Sequence, residues 1–162
     1  MLVEIEVFDH DPRQWLHILE ATTRIDVDYL RQYGSRVPRL MSSGVRWRQE
    51  PGRERFLAIP TILRQHHGDC DDLAPWKAAE LRVYGTDALV DGEFGYRAVD
   101  AEGFALEVDA RCLIVQQDEA GRLFHVLVEY AIPAWDPGQF YKSDPSVMLG
   151  MTGWIHPSVE KK

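Results

Sequence analysis

The stretch Gly68-Asp69-Cys70-Asp71-Asp72-Leu73-Ala74-Pro75-Trp76-Lys77-Ala78-Ala79-Glu80-Leu81-Arg82 decides how the chain is read. Leu73, Ala74, Lys77, Ala78, Leu81 and Arg82 give it a mixed apolar face at helical spacing, and Gly85 follows where a helix C-terminus belongs. Proline is tolerated in the first turn of a helix and costly further in, so Pro75 predicts a helix that starts near Cys70 or Asp71 and runs over residues 71–84. A thiol in that position meets the positive end of the helix dipole and unpaired backbone N–H groups, which favour the thiolate nucleophile. The same N–H groups are suited to receive the oxyanion of a tetrahedral intermediate. Three neighbouring aspartates act against the thiolate unless their carboxylates take capping roles.

A small buried cysteine at a helix start is commonly inert, so the partners carry the argument. His125 lies in Leu123-Phe124-His125-Val126-Leu127-Val128-Glu129-Tyr130, where strand alternation puts it on one face with Leu127 and Glu129. Taken alone, a strand histidine is structural or exposed. Nineteen residues on, Asp144-Pro145-Ser146 follows the turn-rich segment 133–138, which predicts Asp144 at the start of an adjacent strand beside His125. An aspartate there fixes the imidazole tautomer and holds the other ring nitrogen toward a nucleophile.

The order of these pieces resembles the transglutaminase-like superfamily of papain-fold proteins. The matches are Gly68-Asp69-Cys70-Asp71-Asp72-Leu73-Ala74, Leu81-Arg82-Val83-Tyr84-Gly85, His125-Val126-Leu127-Val128-Glu129 and Asp144-Pro145-Ser146, which span about half the chain. The run Asp144-Pro145-Ser146-Val147-Met148-Leu149-Gly150-Met151 also resembles small proteins of this type encoded by tailed phages and prophages. The resemblance implies a papain-like α+β fold in which Cys70, His125 and Asp144 act on amide bonds as nucleophile, base and orienter, by hydrolysis or by transfer to an amine. It also implies a protein or peptide amide as substrate. Noncatalytic members exist, so a virion or assembly protein that keeps the fold and binds phage structural proteins is the alternative. Two departures stand out: Leu127 replaces the tryptophan often found two residues after the histidine, and no oxyanion side chain is fixed. Gln65, five residues before Cys70, is one candidate, set against a solvated glutamine. Asp71 and Trp76 are further oxyanion or cleft candidates, and Trp76 and Trp135 either line a groove or fill core.

Outside this constellation the sequence mostly excludes. The 162 residues suit a single domain, 1–162, with one core. A net charge of −8 argues against nucleic acid, whose binding draws on clustered Lys and Arg. Arg46, Arg48, Arg53 and Arg55 form a local basic stretch, but Glu50, Glu54 and the turn pair Pro51-Gly52 interrupt it, so it reads as a solvated loop against an anion site. An acidic N-terminus lacks the basic start of a secretory signal, and no apolar run nears the ~18 residues of a membrane span. A soluble, cytoplasmic protein is expected, or one in the host cytoplasm or virion if phage-encoded. Two cysteines make no disulfide framework, and Cys112 reads as core. His66 and His67 beside Asp69 and Asp72 suggest a metal, but adjacent histidines diverge in extended chain and no second Cys/His pair follows, so no metal and no cofactor is expected. His10, His17 and His156 read as surface.

The remaining elements predict an α+β layout, helices first and hairpins later. A strand over residues 2–8 precedes a helix over residues 12–33 whose core-facing positions Trp15, Leu19, Thr22, Ile25 or Asp26, Tyr29 and Leu30, and Tyr33 recur at three- and four-residue spacing. Residues 35–55 read as irregular connection. Runs at 88–90, 96–99, 104–108, 111–116 and 123–130 read as strands of a mainly antiparallel sheet.

Overall fold

The computed structural model describes residues 4–7, 12–50, 54–89, 98–116 and 124–152, and mixes helix and strand as an α+β protein. Helix α1 (Pro12–Tyr33) occupies the expected span and buries Trp15, Leu19, Thr22, Asp26 and Leu30 along one stripe, while Tyr33 is exposed. Strand β1 (Glu4–Val7) pairs antiparallel with β3 (Glu54–Leu57). The connection after α1 is more built than its composition suggests. It buries Val37, Leu40 and Val45 and contains β2 (Arg46–Trp47), which pairs in parallel with β4 (His67–Gly68). Between β3 and β4 lies a short helix, α2 (Ile59–Gln65), whose start is marked by Pro60 in its first turn.

Helix α3 (Cys70–Tyr84) is the axis of the molecule. It contacts α1, β3, the main sheet and the last helix, and every side chain from Asp71 to Leu81 is buried. A helix covered on all sides needs no polar stripe, which is why its sequence shows only a mixed face. Leu73, Trp76 and Ala79 join a cluster with Val27, Leu40 and Ile62, whereas Ala74, Ala78 and Leu81 join another with Trp15, Val126 and Val128. Each large apolar side chain so buried contributes about 1.5–3 kcal/mol. Pro75 is the sixth residue of α3, not part of its first turn. Its missing N–H deprives the Asp71 carbonyl of an intrahelical partner, so Pro75 does not set the start. The start is set by Asp69, the N-cap, which forms a capping box with Asp72; the Asp69 N–H donates to Asp72 Oδ2 at 3.3 Å.

Gly85 ends α3 at φ 60° and ψ −141°, a conformation open to glycine alone. A Cβ here would lie 2.1 Å from the backbone oxygen of Leu106, which accepts the Thr86 N–H at 2.9 Å. Gly85→Ala is therefore expected to cost about 2 kcal/mol or more of unfolding free energy, read as a shift in the urea midpoint. A shift within error would mean that the segment around Leu106 gives way freely.

The main sheet has the order β5-β6-β7, all antiparallel, from β5 (Asp109–Gln116), β6 (Phe124–Ala131) and β7 (Tyr141–Ser143). Among the described residues, two expected strands do not form. Ala88 lies in a 3-10 turn that follows α3 tightly, and residues 104–108 form no strand beyond a single bridge between Val99 and Ala105. Val90, Tyr96, Arg97 and Leu123 lie outside the described residues, as do His10 and His156. A last helical turn, α4 (Pro145–Met148), follows β7. Among the described residues no helix is long and apolar enough to cross a membrane.

Candidate active site

Cys70 is the first residue of α3 and is half-buried against the cluster that includes Ala74, Val126 and Val128. On β6, Phe124, Val126, Val128 and Tyr130 face that cluster, and His125 alternates with them, as strand geometry requires. The elements that carry the three candidate residues pack on one another pairwise, α3 on β6, α3 on α4 and α4 on β6.

His125 and Asp144 meet. His125 Nε2 lies 2.8 Å from Asp144 Oδ2, with the imidazole 1% and the carboxylate 10% exposed. Because β7 runs antiparallel to β6 with Ser143 opposite Val128, the next residue, Asp144, continues alongside β6 toward His125. Asp144 does not start a strand, as its sequence setting suggested; it follows β7 and is the N-cap of α4, because aspartate before proline is a helix start. Its two oxygens divide the work: Oδ1 accepts the Val147 N–H at 3.3 Å, and Oδ2 holds the imidazole. The hydrogen bond to Nε2 orients the ring and leaves Nδ1 as the nitrogen suited to exchange a proton with a nucleophile.

Two of the three aspartates around Cys70, Asp71 and Asp72, are pushed toward their neutral form. Burial, reinforced by the nearby Asp69 carboxylate, pushes Asp71 well above the usual carboxylate range. Burial does the same to Asp72, even though Asp72 Oδ1 accepts the Leu57 N–H at 2.7 Å. A carboxyl shifted toward its neutral form opposes a neighbouring thiolate less than one in the ordinary range. The carboxylates of Asp69, Asp71 and Asp72 each offer one oxygen within 4.8 Å of the others, and these are the residues that could hold a cation here. His66 and His67 are not part of that group: His66 is the exposed, left-handed C-cap of α2, and His67 lies beside Gln65.

The oxyanion and cleft candidates fare differently. Gln65 sits at the end of α2 with its amide donating to the His67 carbonyl at 2.7 Å and reaching Glu50 at 3.4 Å, so its donors are committed upstream of Cys70. Trp76 is fully buried and its indole N–H donates to Glu80 Oε1 at 3.0 Å. It is core, not cleft, because α3 is enclosed on the side where Trp76 projects. Asp71 is buried at the helix start. Trp135 is 47% exposed in the turn after β6, at the end of the strand remote from His125. Cys112 is buried beside Thr23, and burial pushes its thiol up to about 12. His17 is exposed.

Sequence reasoning missed the buried acids that build this region. Asp72 supports β3 through Leu57, Asp26 supports α2 through Ile59, and Glu80 accepts the Leu40 N–H at 2.7 Å. Each side chain serves a backbone group that is remote in sequence, and no local pattern announces such a bond. Comparison with protein-family models, with curated protein sequences and with solved structures returned no match to this chain.

Proposed function

We propose that the chain is a papain-like, transglutaminase-like α+β domain that acts as a cysteine-dependent amide hydrolase or acyl transferase on a protein or peptide substrate, with Cys70, His125 and Asp144 as its triad. The observation that carries this reading is the buried His125–Asp144 pair at 2.8 Å, set on elements that pack against the helix Cys70 begins. A fully buried imidazole held by a carboxylate is an expensive arrangement for mere stability and a useful one for proton transfer.

The chemistry follows from the groups present. His125 takes the thiol proton, and the Cys70 thiolate attacks the amide carbonyl. N–H groups at the start of α3 stabilise the oxyanion. The C–N bond breaks as the imidazolium returns its proton to the leaving amine, which gives a thioester. Water or a second amine, deprotonated by the same imidazole, then releases the acyl group and restores the thiol. Asp144 keeps the ring in register and stabilises its cationic form.

The test is the pH profile of iodoacetamide alkylation at Cys70, followed by mass spectrometry, with Cys112 as internal control. Cys70 is expected to react with a midpoint at least about one pH unit below that of an ordinary thiol near 8.5, while Cys112 stays unlabelled in the native state. A midpoint at or above the ordinary value would favour the alternative, an assembly protein of phage type that retains the fold without the chemistry.

A further inference from the structure

The basic stretch around Arg46 has a defined place. The Arg48 N–H donates to Gly68 O at 2.9 Å and the Arg46 N–H to His66 O at 3.2 Å, which joins β2 to the chain that enters Cys70 two residues later. On the opposite edge, the Trp47 N–H donates to Leu149 O at 3.0 Å, and Leu149 is the C-cap of the helix that Asp144 starts. Strand β2 therefore bridges the two walls that carry nucleophile and orienter.

Its two faces differ. Trp47 is paired with Gly68, and a Cβ on Gly68 would meet Asp72 Cβ at 3.1 Å and Leu73 Cδ2 at 3.3 Å, so this face is turned to α3. Trp47 accordingly packs on the apolar cluster that includes Leu73 and Trp76. Arg46, paired with His67, and Arg48 alternate with Trp47 and project from the open face, where both are exposed. Among the described residues neither enters an ion pair. Glu50, nearby, does not neutralise them, because its carboxylate is gripped by Arg55 at 2.9 and 3.2 Å. In a chain of net charge −8, two exposed guanidiniums on the strand beside the entry to Cys70 are a local concentration of positive charge.

We propose that Arg46 and Arg48 form a subsite for a carboxylate on the acyl side of the substrate, so that the preferred amide lies in an acidic peptide. This rests on the triad assigned above and adds a substrate class to it. Guanidinium groups suit the task, since they stay charged and bind carboxylates in a forked geometry.

The test uses the chloromethyl ketones of acetyl-Glu-Ala, acetyl-Gln-Ala and acetyl-Lys-Ala, in which the Cys70 thiolate displaces chloride to form a thioether. Second-order rate constants for Cys70 labelling are read by mass spectrometry. The Glu probe is expected to react about fivefold faster than the Gln probe at low salt and the Lys probe more slowly, with the differences shrinking in 0.5 M salt, the range expected for two surface charges. In Arg46→Gln/Arg48→Gln, checked for unaltered thermal unfolding, the Glu and Gln probes are expected to react alike. Equal rates in the unmodified protein, or a Glu preference that survives in the double variant, would overturn the subsite alone if Cys70 still shows its low alkylation midpoint with iodoacetamide. Loss of that midpoint would remove the triad and the subsite with it.

Discussion

Replacing His125 with alanine is expected to slow iodoacetamide alkylation of Cys70 at pH 6 by about tenfold and to raise its pH midpoint by about two units. An imidazolium next to a thiol favours the thiolate at a pH where a lone thiol is almost entirely protonated. The rate gain is smaller than the gain in thiolate population, because a thiolate of lower basicity is a weaker nucleophile. Asp144→Asn provides a gentler perturbation. It retains an oxygen for the Val147 N–H that caps α4 but removes the charge facing His125 Nε2. The midpoint should then rise by less than in His125→Ala. The double variant should match His125→Ala alone, since the aspartate acts only through the ring. An imidazole that never meets the thiol would leave all four profiles superimposed, and that result would end the triad assignment even with the 2.8 Å pair intact.

How much of this was legible beforehand depended on whether the signal was local. Helix α1 was, because it has one solvent face and one core face and its stripe repeats through Trp15, Leu19, Thr22, Asp26 and Leu30. The limits of α3 were readable for a partly wrong reason. Pro75 points to a start near Cys70 but lies too deep in the helix to mark it; the capping pair Asp69 and Asp72 is the physical cause. The pairing of His125 with Asp144 was foreseen from their order, whereas the conformation at Asp144 was not. The Asp-Pro start of α4 reads in sequence as a strand start because a helix of four residues has no periodicity to display. Strand β2 and the first two residues of β3 fall in the stretch 35–55 that reads as irregular connection, for a similar reason. Two to four residues cannot show alternation, and their pairing partners, β4 and β1, lie far off in the sequence. Trp76 was ambiguous between groove and core, since a tryptophan on a helix carries no label for the side that is covered.

The second large effect concerns Asp26, which is fully buried on α1. Its Oδ1 accepts the Ile59 N–H at 2.9 Å and so serves as the cap of α2, whose own N-cap residue, Ala58, has no side chain able to do so. Burial pushes the Asp26 carboxyl well above its ordinary range, against the smaller pull of that hydrogen bond. Between the unfolded value, about 3.9, and the raised folded value, the native state binds more protons than the unfolded chain, so stability falls as pH rises. For one such group the slope is at most about 1.4 kcal/mol per pH unit. Asp71, Asp72 and Glu80 are shifted in the same direction, all chiefly by burial, and add to it. Glu20, lowered by Arg82, works the other way, but its contribution is lost only as pH falls below the ordinary carboxylate range. Urea unfolding should therefore give a lower free energy at pH 8 than at pH 5. Asp26→Asn keeps an acceptor for Ile59 while removing the titrating group, so its decline over that interval should be visibly smaller. Asp26→Ala strips the Ile59 N–H of its partner and should be less stable by about 1–3 kcal/mol at pH 5, a deficit that narrows toward pH 8 because the variant has lost the titrating group as well. If Asp26→Asn instead reproduces the full slope of the unmodified protein, the carboxyl at Asp26 is not titrating in this window, and the pH dependence belongs to the acids of α3, Asp71, Asp72 and Glu80.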